Sequence, residues 1–176
     1  MKKNIRSLGV LICCAILLTA CNTTSPERYF DIAVLNSNMF TGFADDGLLL
    51  QFESPSAMMA ENGTVVAMKR ADVAEQNIHF TEEAFEKLKD LKQTTETKEM
   101  LQTSIAMFEY ILPVYKNEYK QLAKLYDEGA SKEKTAAYAK AIREKYVEGF
   151  KNIYNKLISI GKVYAEKNNI KVNWNL

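Results

Sequence analysis

His79 is the only histidine in the chain, and it limits the enzyme chemistry that the sequence can support. A di-iron carboxylate site in a helical bundle needs two Glu-x-x-His motifs, so a single histidine excludes it. Ser-His-Asp or Cys-His catalysis would need His79 as its base, yet no motif pairs this residue with a nucleophile. We interpret His79 as a structural or exposed residue and predict no catalytic residue, no metal site and no cofactor.

Methionine and tyrosine are the other residue types that could form a site. A soft copper site is one interpretation of the methionines, but methionine is also the ordinary gap-filler of helical cores, which we favour. Several tyrosines are expected to converge between two helices, where they either pack the core or line a pocket for haem or another flat apolar ligand. The methionines are Met58, Met59, Met68, Met100 and Met107, and the tyrosines are Tyr110, Tyr115, Tyr119, Tyr126, Tyr146, Tyr154 and Tyr164.

Two pairs of adjacent carboxylates have the residue types of an acid/base or calcium site but the wrong spacing. Asp45-Asp46 and Glu82-Glu83 do not follow a calcium-loop pattern, and adjacent positions do not share one face of a helix. A turn and the acidic first turn of a helix explain them better.

All three cysteines lie within the first 21 residues, in a segment with the pattern of a secretion signal. Lys2, Lys3 and Arg6 give it a basic start, and the uncharged apolar run that follows, residues 8–18, is shorter than the roughly 20 residues of a membrane span. The sequence therefore predicts a signal peptide over residues 1–20. The rest of the chain after Cys21 has no cysteine for a disulfide framework.

The end of this segment, Leu18-Thr19-Ala20-Cys21, resembles the lipobox of bacterial lipoprotein precursors. An ordinary secretory cleavage site wants a small residue where Leu18 stands. The resemblance implies a diacylglyceryl thioether on Cys21, cleavage before Cys21, and a lipidated tether over residues 21–25. Two or three acyl chains, such as palmitate, hold a protein on a membrane far more firmly than one. A plain secretory signal or a retained apolar anchor is the alternative.

The resemblance also implies a location in the cell envelope. In enterobacteria an aspartate after the lipidated cysteine resembles an inner-membrane retention mark, and this chain has Asn22 there. We therefore expect the outer membrane in a Gram-negative host and the outer face of the cell membrane otherwise.

Charge gives no support for a nucleic-acid partner. Lys2, Lys3 and Arg6 leave with the signal, so 20 basic residues remain against 22 acidic ones, a net charge of about −2. Basic and acidic residues are interspersed, which argues against a nucleic-acid-binding surface and a polybasic membrane patch.

The length that remains after the predicted signal peptide suits one domain, which we place at residues 26–176.

The elements at the start of this domain are marked by local signals. Ser25-Pro26 predicts a helix start. Asn62-Gly63, between apolar groups, predicts a small β-hairpin near residues 56–68, with an irregular loop as the alternative. Thr81, followed by two glutamates, predicts the N-cap of a short helix that ends near Leu91.

Two long helices are the clearest prediction. Apolar residues recur every three or four positions over 97–128 and again over 132–167, and a helix of the second length is roughly 54 Å long. Gly129 and Ser131 predict a short connection, so the pair should be antiparallel. Pro113 lies inside the first helix, where we expect a kink and not a stop, because the apolar stripe continues on both sides.

The last residues alternate in Ile170, Val172 and Trp174, which predicts a short extended tail that pairs with the region around Val65. The predicted fold is mainly all-α: an elongated bundle of about four helices with a long antiparallel helical hairpin.

The leading functional hypothesis is a non-enzymatic envelope lipoprotein that binds a protein partner or has a structural role. The alternative is a carrier of an apolar or aromatic small molecule held between helices.

Overall fold

A computed structural model describes residues 24–54 and 57–174 of the chain. Within them the protein is mainly helical with one small sheet, which confirms the predicted fold class. The described helices include none that is both long and apolar enough to cross a membrane. The elements in chain order are α1 (Pro26–Ala33), a 3-10 segment (Leu35–Phe40), α2 (Asp46–Glu53), β1 (Ala57–Met59), β2 (Val65–Ala67), α3 (Arg70–Lys89), α4 (Lys98–Val114), a π-helical turn (Tyr115–Tyr119), α5 (Lys120–Asp127) and α6 (Lys132–Lys167).

The first element of the bundle is a broken helical run over residues 26–53. Ser25 caps α1 by accepting a hydrogen bond from the Arg28 amide at 3.2 Å, and Pro26 follows the cap, as predicted. Buried phenylalanines then mark the path of the run: Phe30 stacks on Tyr164 of α6, and Phe40 meets Phe108 of α4 edge-on. The run therefore packs against the long helices.

The long antiparallel pair forms as the sequence predicts. Gly129, in a left-handed conformation, ends α5, and Ser131 caps α6 by accepting from the Lys134 amide at 3.3 Å. At 1.5 Å per residue α6 is roughly 54 Å long. Lys167 of α6 forms an ion pair with Glu96, just before α4, so the end of α6 lies beside the start of α4.

The helix does not stop at Pro113, in agreement with the expectation. Proline cannot donate to the carbonyl of Glu109, and the helical path continues into a π-helical turn two residues later. There the Lys120 amide bonds to the carbonyl of Tyr115, five residues back. Tyr115 and Tyr119 lie at the two ends of this turn, and the centroids of their buried rings are 4.6 Å apart.

Thr81 does not begin a helix, so this prediction is wrong. It lies in the middle of the 20-residue α3, and its hydroxyl donates to the carbonyl of Asn77 at 2.6 Å. The true start of α3 is capped from elsewhere in the chain: the amides of Arg70 and Ala71 each donate to the carboxylate of Asp127 at 2.9 Å. Because the capping residue is 57 residues away in the sequence, no local pattern indicates where α3 begins.

The C-terminal tail does not pair with the region around Val65 as expected. Residues 170–174 adopt no regular structure and pack on the helical core. Trp174 meets Phe30 of α1 edge-on at 5.9 Å, and the Lys162 ammonium lies over its indole. The alternating apolar residues are thus explained by packing against helices.

Candidate functional site

The described part of the molecule has two distinct ends. Thr24 and Pro26 line a shallow cleft with Asp90, which follows α3, and Asn168, which follows α6. We call this the tether end. The opposite end holds the start of α3, the end of α5 and the base of the small sheet, because β2 ends three residues before Arg70. The 20 residues of α3 separate the two ends by roughly 30 Å.

The β-hairpin at that second end is the most exposed apolar feature among the described residues. Strands β1 and β2 pair antiparallel, with Met58 opposite Val66 and Met59 opposite Val65. All six strand residues are exposed, and Met59 and Val65 reach 72% and 71%. A soluble protein rarely leaves a hairpin apolar on both faces, so the exposure points to an interaction surface.

Local chemistry explains why a hairpin forms here. Gly63 adopts the left-handed conformation, and the Asn62 carboxamide oxygen accepts from both the amide and the hydroxyl of Thr64. The Ala60 amide closes the loop by donating to the carbonyl of Thr64 at 2.8 Å. The predicted Asn-Gly turn is therefore present, with only Gly63 at positive φ.

Each strand of the hairpin is paired on one side only among the described residues. The outer edges therefore carry backbone amides and carbonyls that can extend the sheet. Only one charged residue, Glu61, lies between Ala57 and Ala67, so the edges lack the charges that usually prevent such pairing. The hairpin can accept an added strand from a partner.

The expected convergence of tyrosines is found near the hairpin end of the bundle, where tyrosine hydroxyls join the helices. Glu118 and Tyr138 of this region also line an open cleft beside α5. The Glu118 carboxylate accepts from the Tyr138 hydroxyl at 2.8 Å and the Tyr146 hydroxyl at 3.0 Å, with the Lys145 ammonium at 3.5 Å. These hydrogen bonds, that of Tyr138 foremost, lower the pKa of Glu118. Burial and the adjacent carboxylate raise the pKa of Tyr138 to about 12. This Glu118 cluster joins the π-helical turn to α6.

Tyr138 was not among the predicted tyrosines, and four of those that were predicted divide between core and cleft. Tyr110 donates to the carbonyl of Tyr146 at 3.1 Å, and Tyr126 stacks on Phe52. Tyr115 and Tyr119 are buried and line a cleft of about 280 Å³ beside the π-helical turn. Burial raises the pKa of both hydroxyls.

The remaining candidates from the sequence are not brought together. His79 is exposed on α3, with its Nε2 atom 3.3 Å from the Glu83 carboxylate. Met100 and Met107 are fully buried in the core, whereas Met58 and Met59 lie on the hairpin. Among residues 24–54 and 57–174, no three His, Cys, Asp or Glu side chains are grouped to hold a metal ion.

The two carboxylate pairs have structural partners. Asp45 caps α2 by accepting from the Gly47 amide at 2.7 Å, and Glu82 forms an ion pair with Lys116 of the π-helical turn. The candidate lipidation residue, Cys21, the predicted signal peptide and most of the tether lie outside the described residues.

The exposure of the hairpin is a feature that we did not predict from the sequence. A signal was present: residues 57–59 and 65–67 are apolar at every position, while a strand with one solvent-facing side alternates apolar and polar residues.

Comparison with known proteins gives no relative. The chain matches no protein-family model, and neither curated proteins nor solved structures show significant similarity to it.

Proposed function

We propose that this protein is a lipid-anchored lipoprotein of the bacterial envelope, without enzymatic activity, which presents its β-hairpin to a protein partner. The observation that carries the proposal is the exposed apolar hairpin at the end of the bundle opposite Thr24. The lipobox-like residues 18–21 support the anchor, and residues 1–20 would then be removed as a signal peptide.

Chain length ties the anchor to one end of the bundle. Thr24 is three positions after Cys21 in the sequence, so the two residues are at most about 11 Å apart. Lipid on Cys21 would therefore hold the tether end close to the membrane. The base of the hairpin lies roughly 30 Å farther along α3, so an upright bundle presents it away from that membrane.

This placement favours a protein over a lipid surface as the partner of the hairpin. Acyl chains on Cys21 already supply the membrane attachment at the other end of the bundle. The hairpin offers both apolar side chains and open strand edges, and a partner strand can satisfy both at once. We propose strand addition as the binding mode, with Met59 and Val65 packing on side chains of the partner.

The proposed location follows from the signal and from Asn22. In a Gram-negative host the anchor would be in the outer membrane, and in other bacteria it would be in the outer face of the cell membrane. The near balance of 20 basic and 22 acidic residues after the signal supports a partner other than nucleic acid.

The anchor and the hairpin are tested separately. Metabolic labelling with a palmitate analogue should label the wild-type protein and leave the Cys21→Ala variant unlabelled.

For the hairpin, a photo-crosslinking amino acid at Val65 should capture one specific envelope protein in living cells, while the same group at Val163 should not. Val163 is a matched control because it is 67% exposed and lies near the tether end.

Two lysine variants then test whether the crosslink depends on the hairpin itself. With the crosslinker at Met59, Val65→Lys should abolish the crosslink, whereas Val163→Lys should leave it unchanged. Equal capture from Val65 and Val163, or equal loss with both lysine variants, would refute the hairpin as the binding surface. An unlabelled wild-type protein would refute the lipid anchor.

A further inference from the structure

A cleft of about 280 Å³ lies beside the π-helical turn, bounded by α3 and by the loop that leads into α2. Phe43, Tyr115 and Tyr119 line it as buried aromatic rings. Phe80 and Met39, which are 56% and 40% exposed, line it as well. A flat apolar group entering the cleft would thus contact the exposed side chains of Phe80 and Met39 and only the edges of the three buried rings.

The remaining side chains that line the cleft are polar but uncharged. They include Thr41, Gln51 and Asn77, and among the side chains that the structure describes no Asp, Glu, Lys, Arg or His lines the cleft. The Asp45 carboxylate lies beside the cleft, 2.7 Å from the amide of the lining residue Gly47. An anion placed here would lose its hydration and face this carboxylate, so the cleft disfavours anions.

Tyr115 supplies a hydrogen-bonding group that the fold itself does not use. The side chain is only 7% exposed, and within residues 24–54 and 57–174 its hydroxyl makes no hydrogen bond. The neighbouring Tyr119 hydroxyl, by contrast, accepts from the Ala44 amide at 2.9 Å. The Tyr115 hydroxyl is not one of the fully buried polar atoms that lack a partner, so water can reach it in the cleft, and a ligand oxygen can replace that water as the acceptor.

A π-helical turn carries both tyrosines of the cleft. The centroids of the Tyr115 and Tyr119 rings are 4.6 Å apart, and both residues line the cleft. Single π-helical turns are rare and are often found at functional sites. Tyr119 is held by the fold through Ala44, which leaves Tyr115 available to a ligand.

We propose that this cleft binds a small molecule without negative charge that has a flat apolar body and an oxygen that accepts a hydrogen bond from Tyr115. The apolar body packs against the exposed side chains of Phe80 and Met39, and the polar side chains at Asn77 and Gln51 bind further polar groups of the ligand. This site does not depend on the lipid anchor or on the hairpin. The proposed ligand and the proposed function can therefore be refuted independently of each other.

The test uses benzamide as the probe and benzoate as its charged counterpart of the same shape. Titrations of the purified chain are followed by saturation-transfer difference NMR. We expect saturable benzamide binding in the millimolar range and binding of benzoate at least tenfold weaker. Tyr115→Phe should weaken benzamide binding about fivefold, the usual effect of one hydrogen bond.

Two variants make this result specific. Tyr154→Phe removes a hydroxyl from another partly buried tyrosine, on α6, and should leave benzamide binding unchanged. Asn77 lines the cleft from a half-buried position on α3, where a substitution should affect folding less than it would in the core. Asn77→Leu should weaken benzamide binding at least threefold. Circular dichroism checks that each variant is folded. Absence of saturable benzamide binding, equal affinity for benzoate, or equal effects of Tyr115→Phe and Tyr154→Phe would overturn the proposal.

Discussion

Gly149 of α6 is the position where a single methyl group should have the clearest effect on stability. A Cβ atom there would lie 2.4 Å from the Tyr110 hydroxyl oxygen and 2.9 Å from its Cζ atom. The Tyr110 hydroxyl donates to the carbonyl of Tyr146, and its ring packs near Phe43. Gly149→Ala must therefore displace a ring that joins α4 to α6.

The magnitude follows from three opposing contributions. Replacing glycine by alanine inside a helix stabilises by about 1 kcal/mol. Overpacking against Tyr110 costs about 1–3 kcal/mol, and loss of its hydrogen bond costs about 1 kcal/mol more. We expect Gly149→Ala to lower the free energy of unfolding by about 1–3 kcal/mol.

The same substitution in a Tyr110→Leu background separates the clash with the Tyr110 ring from any other effect of the methyl group. Tyr110→Leu removes the hydroxyl and the Cζ atom that the new Cβ would meet, so Gly149→Ala added to it should stabilise by about 1 kcal/mol. Urea unfolding followed by far-UV circular dichroism measures all four proteins of this double-mutant cycle, with similar m-values expected. A stabilising Gly149→Ala in the wild-type background, or the same change in both backgrounds, would refute the reasoning.

Three further substitutions test other parts of the fold. Ser104→Ala should raise the free energy of unfolding by about 1 kcal/mol in urea titrations, because the buried Ser104 hydroxyl has no partner and alanine favours the helix; a loss of stability would contradict this. Tyr119→Phe should cost about 1–3 kcal/mol by the same measurement, because the buried amide of Ala44 loses its acceptor, and no loss would mean that water replaces it. Glu118→Gln should destabilise by about 1–2 kcal/mol at pH 7. Because folding lowers the pKa of Glu118, its contribution is complete above the ordinary glutamate pKa of about 4.3 and disappears as the pH falls through the lower folded value. Wild type and Glu118→Gln should therefore converge in acid, and a constant difference between them would contradict this origin.

Features set by neighbouring residues were predictable from the sequence. Ser25-Pro26, Gly129 with Ser131, and Asn62-Gly63 each place a cap or a turn through their own hydrogen bonds and backbone preferences, and each is found where it was predicted. The two long helices were equally clear, because their apolar stripes extend over many turns.

Features set by distant residues were not predictable. Asp127 caps α3 from 57 residues away, so the helix begins at Arg70 and includes Thr81, whose local signal of a helix start is overridden. Trp174 packs on Phe30, which no alternation pattern indicates. The cleft depends on the same kind of contact, since it assembles residues from the loop before α2, from α3 and from the π-helical turn.

The length of α3 has a consequence for how strong the proposed hairpin contact must be. The base of the hairpin lies roughly 30 Å from the tether end, so a membrane that holds this end confines the hairpin to a hemisphere of about that radius. One molecule in that volume corresponds to a local concentration of about 30 mM. A partner held in the same membrane would then be half occupied at a dissociation constant of about 30 mM, a contact worth only about 2 kcal/mol. The same two proteins, diluted to micromolar concentrations without their membrane, would separate.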